Sequence, residues 1–397
     1  MTAKPFGLYV HIPFCNRICH YCDFAKTANY SEDHVAAYIR ALSAQLHAWR
    51  QALPSGQKFS SVFFGGGTPG VLTREYAGLM PEILDMAEHG AEITLESNPG
   101  NVTVDNISIW RDHGFNRLSM GVQSFDPAGL KALTRDHSAS EASRALELAA
   151  KHFPKSNGDL IYGWPGQTDA SWLADLDMMI ASGVNHLSLY ALTFEGNTPF
   201  ARAERRGAMK SASGDDLASR YDNACDVLGN NGFRHDEISN WSRHGGGCDH
   251  NWLYWRGDYF VGIGAGAHGF VDNGTPIGLR YSYPGDLRQF LRATADLDSG
   301  TLVCDIQAVI ATTGGEIDSD RDRNAWLYEY VGCGLRTREG VDLAILAAKG
   351  FKFTPNQTIE RAIREGLLSI VGERLIATEG EWFRETAWSY EICDSMS

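Results

Sequence analysis

Three cysteines, Cys15, Cys19 and Cys22, stand in the string His11-Ile-Pro-Phe-Cys-Asn-Arg-Ile-Cys-His-Tyr-Cys-Asp-Phe24. Their C-x3-C-x2-C spacing asks for a compact loop folded around a metal centre. A cubane [4Fe–4S] cluster is ordinarily held by four thiolates, so a loop offering three leaves one iron open to an outside donor. The donor implied is S-adenosylmethionine, bound through its amino and carboxylate groups. Zinc fits less well: it wants four ligands, often in pairs, and the nearby candidates are His11, on an expected strand, and His20, inside the loop. Eight cysteines in 397 residues, with no secretory leader ahead of the motif, read as a reduced cytoplasmic chain. No apolar run reaches the roughly 18 residues of a membrane span.

A formal net charge of −14 argues against nucleic-acid partners and against acidic membrane surfaces. The ten tryptophans and fifteen tyrosines are read as core and interface filling. The length allows one large α/β unit and a smaller one.

From Leu8 to about Gly232, short apolar runs alternate with amphipathic ones. The expected strands are Leu8–Ile12, Ser61–Phe64, Glu92–Glu96, Arg117–Val122, Asp159–Tyr162 and His186–Leu192, and the expected helices Glu32–Leu53, Thr73–Glu88, Val104–His113, Ala139–Lys151, Ala170–Ser182 and Asp215–Leu228. Six β-then-α units imply parallel strands with right-handed crossovers, and six is short of a closed eight-fold barrel. The expected fold class is therefore α/β, a partial (β/α)6 barrel of the TIM type. Function in such barrels gathers where strands run into loops. There lie the cysteine loop, Gly65-Gly66-Gly67-Thr68-Pro69, Glu96, Gln123 and Asp159, with Arg135 further on. Each alone reads as a turn, cap or salt-bridge residue; together with three cysteines they read as one ligand site.

Beyond the barrel (residues 1–232), an extension (233–320) holds His250-Asn-Trp-Leu-Tyr-Trp255 and Gly262-x-Gly264-x-Gly266, which lacks the following helix of a dinucleotide fingerprint and reads as a close-packed turn near a ligand. Residues 271–320 are loose and polar. The last unit (321–397) gives helix, helix, helix and hairpin: Trp326–Val331, Val341–Ala348, Thr358–Glu365 and Leu367–Ala377, a winged-helix-like pattern. From Asp322 onward 9 basic residues face 12 acidic ones, net −3, which favours a lid or docking role over DNA binding.

These strings together resemble radical SAM proteins of the oxygen-independent coproporphyrinogen oxidase superfamily, and within it the heme-chaperone branch. The likeness runs nearly end to end, through Tyr9-Val-His-Ile-Pro-Phe-Cys15, Gly65-Gly-Gly-Thr-Pro69, Leu95-Glu-Ser-Asn-Pro99, Arg117-Leu-Ser-Met-Gly-Val-Gln-Ser-Phe125, Asp159-Leu-Ile-Tyr-Gly163, Pro165-Gly-Gln-Thr168, Glu237-Ile-Ser-Asn240 and Gly334-Leu-Arg336. It implies that Cys15, Cys19 and Cys22 hold the cluster, and that Tyr9, Tyr21, Gly66, Gly67, Thr68, Glu96, Gln123, Arg135 and Asp159 line the S-adenosylmethionine site. Phe24 stands where the oxidase pattern has a fourth cysteine, the oxidase's N-terminal extension is missing, and His-Asn-x-x-Tyr-Trp is complete at 250–255; all three favour the chaperone branch. The branch implies heme as cargo, His250 as its contact with Tyr254 and Trp255 packing the macrocycle, a respiratory hemoprotein as acceptor, and admits a homodimer.

From the residues alone, His250 reads instead as a hydrogen-bonded structural histidine among aromatics, and Cys248 is a second iron donor beside it. A second functional class also stays open: an enzyme cleaving S-adenosylmethionine to a 5′-deoxyadenosyl radical, for porphyrinogen decarboxylation or methyl transfer. Two departures from the family pattern, Ser156-Asn157-Gly158 and Trp164, are expected to lie away from ligand positions.

Overall fold

The computed structural model describes residues 4–72, 74–297, 303 and 305–396. Cys304 and Thr73, the first residue of one expected helix, lie outside them. Six strands, β1 (Phe6–Ile12), β2 (Phe59–Gly66), β3 (Ala87–Ser97), β4 (Arg117–Gln123), β5 (Lys155–Tyr162) and β6 (His186–Ala191), pair in sequence order, each parallel to the next. This is the open parallel half-barrel expected.

Alternation builds it. Leu8, Val10 and Ile12 are fully buried against the covering helices, while Gly7, Tyr9 and His11 take the other face of β1 and look into the barrel. The Glu32–Ala52 helix starts at Ser31, whose side chain accepts from the His34 amide, and buries Tyr38, Leu42, Leu46 and Trp49. The expected Thr73–Glu88 helix is shorter: a 3-10 turn, Ala77–Leu79, leads into a helix at Met80–Met86, and Ala87 already pairs with Phe59 in β3.

Strands from residues 234–317 extend both edges of the same sheet. On the β6 side come β7 (Arg234–Glu237) and β8 (Asn240–Ser242), antiparallel; on the β1 side β9 (Tyr259–Ile263) runs parallel to β1, followed by β10 (His268–Val271), β11 (Leu279–Ser282) and β12 (Glu316–Ile317). Gly262 thus belongs to a strand, with the turn at Gly264 and Gly266, both at positive φ. A side chain at Gly264 would strike the Tyr38 hydroxyl, which donates to His11 O at 2.7 Å and accepts from Ala265 N at 2.8 Å.

Two short helices, Leu287–Ala293 and Ile306–Thr312, fall in the stretch that reads as loose and polar. A separate cluster of buried side chains includes Trp326, Val331, Leu335, Leu346, Ile359, Leu375 and Ile392. It is built by helices Arg323–Leu335, Leu343–Ala348 and Gln357–Arg364 and the hairpin β14 (Leu368–Val371) and β15 (Arg374–Ala377), with β13 (Val341–Asp342) beside β15. A further helix, Glu385–Cys393, was not legible in the sequence. No helix among the described residues is long and apolar enough to cross a membrane.

Candidate functional site

At the strand-end rim, one cavity is lined by Cys15, Cys19, Tyr21, Cys22, Gly66, Gly67, Thr68, Glu96, Gln123, Arg135 and Asp159, eleven of the twelve residues assigned above to the cluster and S-adenosylmethionine sites. Tyr9 is the exception. Its hydroxyl pairs with His11 Nδ1 at 3.0 Å, and it sits deeper in the barrel beside Phe63. The enclosed volume is about 150 Å³, with exposed Ile18 and Phe24 at the mouth, so a larger ligand must extend past that rim.

The cysteine loop is pinned from several sides. Cys15 N donates to Thr27 O (2.9 Å), Lys26 Nζ to Cys22 O (2.5 Å), and the Thr68 hydroxyl lies 3.6 Å from Cys15 Sγ. Burial raises the Cys15 and Cys22 thiols, opposed at Cys15 by the Thr68 hydrogen bond. His11 Nε2 contacts Ala25 O at 2.7 Å, which with the Tyr9 contact occupies both ring nitrogens. No three His, Cys, Asp or Glu among the described residues converge as a single metal ion requires. A zinc site needs that convergence. A cubane spreads its thiolates over different irons and does not.

Arg135 ties the loop to the sheet. Its guanidinium donates to Cys19 Sγ at 3.3 Å, and to Asn98 Oδ1 and Gly121 O, both at 2.6 Å. Asn98, which sequence reasoning left unassigned although it lies in the Glu-Ser-Asn-Pro string, also donates to the Thr68 hydroxyl at 3.2 Å. Among the described residues, two buried polar atoms on this cavity have no partner, Gln123 Oε1 and Arg135 Nε. Such orphans are costly unless a ligand completes them. Gln123 also holds φ at 73°, a strained backbone for a non-glycine residue. A side chain at Gly67 would come within 2.7–2.9 Å of Pro13 and Phe14 backbone, so only glycine fits that approach.

Two acids share the wall. Burial, reinforced by Asp159, raises Glu96 to about 7, against the Gly66 amide it accepts at 3.1 Å. Burial raises Asp159 to about 6, opposed by Asn157 and Ser188. Asn157 donates to Asp159 Oδ1 at 2.6 Å and to Ser119 Oγ at 2.9 Å. The Ser-Asn-Gly departure therefore does touch the site: it orients Asp159. Trp164 is buried, packed with Leu133, Ile161, Leu192 and Phe200, with Tyr21 against the cluster.

At the opposite end of the barrel, the Asp249–Arg256 helix closes the floor. His250 is wholly buried, Nδ1 at 2.9 Å from Ser61 Oγ, Nε2 at 2.9 Å from Tyr254 OH, and its amide donates to Glu92. Burial lowers its imidazole to about 4. Cys248 is equally enclosed, 3.5 Å from Glu92, its thiol pushed up by burial to about 12. Glu92, Arg117 and His186 form the buried polar cluster beneath, with half-buried Lys155 at its edge, 2.8 Å from both Glu92 and Asp249, and Arg117 donating to His186 at 2.6 Å. His250 thus has the hydrogen-bonded, aromatic-walled setting that the residues alone suggested. Trp255 lies outside this floor, under the Arg336 guanidinium at 4.3 Å.

Residues 9–179 match the model of the radical SAM superfamily. The chain is 30% identical to the heme chaperone HemW of Lactococcus lactis over all of this chain and 97% of that protein, and 34% identical to the HemW of Mycobacterium tuberculosis over 95% and 92%. The chain belongs to the HemW family of the radical SAM superfamily. Among solved structures, the coproporphyrinogen III oxidase of Escherichia coli superposes with a TM-score of 0.76, covering 98% of this chain and 90% of that one, at 21% identity. That likeness is one of fold. In this HemW-family chain Tyr9 lies outside the rim cavity and close to the floor helix, its ring 6.5 Å from that of His250.

Proposed function

We propose that this chain is a heme chaperone that carries a [4Fe–4S] cluster coordinated by S-adenosylmethionine and passes heme to an acceptor hemoprotein, in the cytoplasm. Its membership in the HemW family over essentially its whole length carries the reading. The cluster would sit on Cys15, Cys19 and Cys22. Gln123 Oε1 and Arg135 Nε, the two orphaned atoms, support a polar ligand beside it. Tyr21, Gly66, Gly67, Thr68, Glu96 and Asp159 would bound that ligand, with Tyr9 acting through His11 on the loop. The group supplies an open iron for the methionyl donors when bound. The chain's own part is orientation: Arg135 fixes Cys19 against β4, Asn157 aims Asp159, and glycines at 66 and 67 let backbone approach the ligand.

Heme would be the cargo, with the His250–Trp255 segment as part of the structure that receives it. His250 could ligate iron only after giving up the Ser61 or Tyr254 hydrogen bond. Anaerobic reconstitution followed by iron and sulfide analysis, hemin titration, and assay of 5′-deoxyadenosine with coproporphyrinogen tests the proposal. Expected are about four irons per chain in keeping with a cubane, saturable hemin binding, and no substrate-dependent turnover. Repeated turnover on coproporphyrinogen would replace it with the enzyme reading; protein without iron or sulfide would end both.

A further inference from the structure

Gln123 stands where β4 leaves the sheet. The strand carries one extra residue there, since Gly121 faces Asp159 while Gln123 faces Leu160, the very next residue of β5. Such a bulge re-aims the side chain at its end. It leaves Gln123 with φ at 73° and, among the described residues, with its Oε1 buried on the rim cavity without a partner. A strained residue of this kind keeps its shape only where the surrounding structure over-determines it.

The backbone on both sides of Gln123 is fixed by side chains from outside the strand. Ahead of it, Arg135 donates to Gly121 O at 2.6 Å and His137 Nε2 to Val122 O at 3.1 Å. Behind it stands Asp175, 1% exposed, from the Asp169–Ala181 helix. Its Oδ1 accepts from the Phe125 amide at 2.7 Å and its Oδ2 from the Ser124 hydroxyl at 2.8 Å, and the Ser124 oxygen in turn accepts from the Asp126 amide at 3.0 Å. One carboxylate thus ties down the two residues that follow Gln123.

Ordinary structural roles do not account for an acid at this place. The Pro127–Ala132 helix already has its cap in Asp126, which accepts from Ala128 N at 2.7 Å. Burial raises the Asp175 carboxyl to about 6, opposed by the Phe125 and Ser124 hydrogen bonds, and the charged neighbour that acts on it, Asp126, has the same sign. A carboxylate buried in such company is costly. Gly129 makes room for the contact, since a side chain there would lie 2.7 Å from Ser124 Oγ. We infer that Asp175 is a positioning residue for S-adenosylmethionine binding: from behind the cavity wall it acts through Ser124 and Phe125 to hold the Gln123 amide in the cavity. The inference rests on the S-adenosylmethionine part of the reading above. It has a definite signature, because losing Asp175 loosens Gln123 while the cysteine loop stays in place, and costs nothing further once the Gln123 amide is gone.

Titration of the full, cluster-reconstituted chain with S-adenosylmethionine, read by calorimetry and by the change in the EPR spectrum of the reduced cluster, tests it in Asp175→Ala, Gln123→Ala, the double variant and, as a control, Asp177→Asn, an exposed carboxylate on the same helix. Expected are affinity losses of about tenfold for D175A and for Q123A, the size of one good interaction, wild-type affinity for D177N, and no further loss in the double variant, the mark of two residues acting through one contact. Cluster iron and sulfide at wild-type levels show that each variant is folded, and Ser124→Ala, which removes one of the two bonds, replaces D175A where folding fails. Wild-type affinity in D175A, or losses that multiply in the double variant, overturns the positioning role. A wild-type chain that takes up its cluster and binds no S-adenosylmethionine overturns the ligand reading itself, which is a separate result.

Discussion

Ser61 Oγ and His250 Nδ1 lie 2.9 Å apart, both buried, one on the second barrel strand and the other on the helix that closes the barrel floor. The contact joins positions 189 residues apart and, with Tyr254 on the other nitrogen, spends the whole hydrogen-bonding capacity of a neutral imidazole. His250→Ala leaves a cavity and two unpartnered hydroxyls. Chemical unfolding is expected to show a loss of about 2–4 kcal/mol. An unchanged unfolding midpoint, with hemin binding lost, would return His250 to the role of heme ligand.

Glu92 holds the same floor from β3. Its carboxylate is buried and faces Arg117 at 3.9 Å and Lys155 at 2.8 Å, and despite burial these charges keep its pKa below the usual carboxylate range. Removing one member of such a buried pair typically costs about 3–5 kcal/mol, because the remaining charge is stranded. Glu92→Ala should therefore lower thermal stability more than Lys155→Ala, since Lys155 is part-exposed. Because the folded pKa lies below the unfolded one, the Glu92 contribution is present above the unfolded pKa and is lost as pH falls through the folded value. Equal melting temperatures for E92A and wild type at neutral pH would show that the cluster does not hold the floor.

How much of this was legible in the sequence follows from how local each determinant is. The six barrel strands announce themselves because Leu8, Val10 and Ile12, and their counterparts, alternate within a few residues. The rim residues follow because strand ends repeat at regular intervals. The floor is different: Glu92, Arg117, Lys155 and Cys248 come from four distant segments, and no spacing links them. The helices at Leu287–Ala293 and Ile306–Thr312 were unreadable for a related reason. They are seven residues each, and their burial depends on the Glu32–Ala52 helix, through Tyr38 against Phe290 and Gln45 donating to Thr313 O.

Arg135 reaches Cys19, Asn98 and Gly121 with one planar fork. Lysine keeps the charge and cannot reproduce that geometry. Arg135→Lys is expected to retain cluster iron and weaken S-adenosylmethionine by about tenfold or more, in line with losing charge-assisted hydrogen bonds. Calorimetric titration of the reconstituted proteins measures it. Identical affinity would remove Arg135 from the ligand site and leave it a loop anchor.

Glu96 gives the pH-dependent test. Burial and Asp159 raise it from 4.5 to about 7, so between these values the folded chain holds a proton that the unfolded chain has released. Stability thus carries this contribution below about pH 4.5 and loses it as pH climbs through about 7. Asp159, raised from 3.8 to about 6, acts with the same sign over a lower window. Glu96→Gln removes the first charge and should flatten the decline of the unfolding midpoint between pH 5 and 7, a window inside the range just given. Asp159 titrates while Glu96 is still protonated, so the variant should leave the Asp159 part of the slope near pH 6. A pH profile for E96Q that superposes on wild type would mean that the two carboxyls are not coupled across the cavity, and that Glu96 reaches solvent freely.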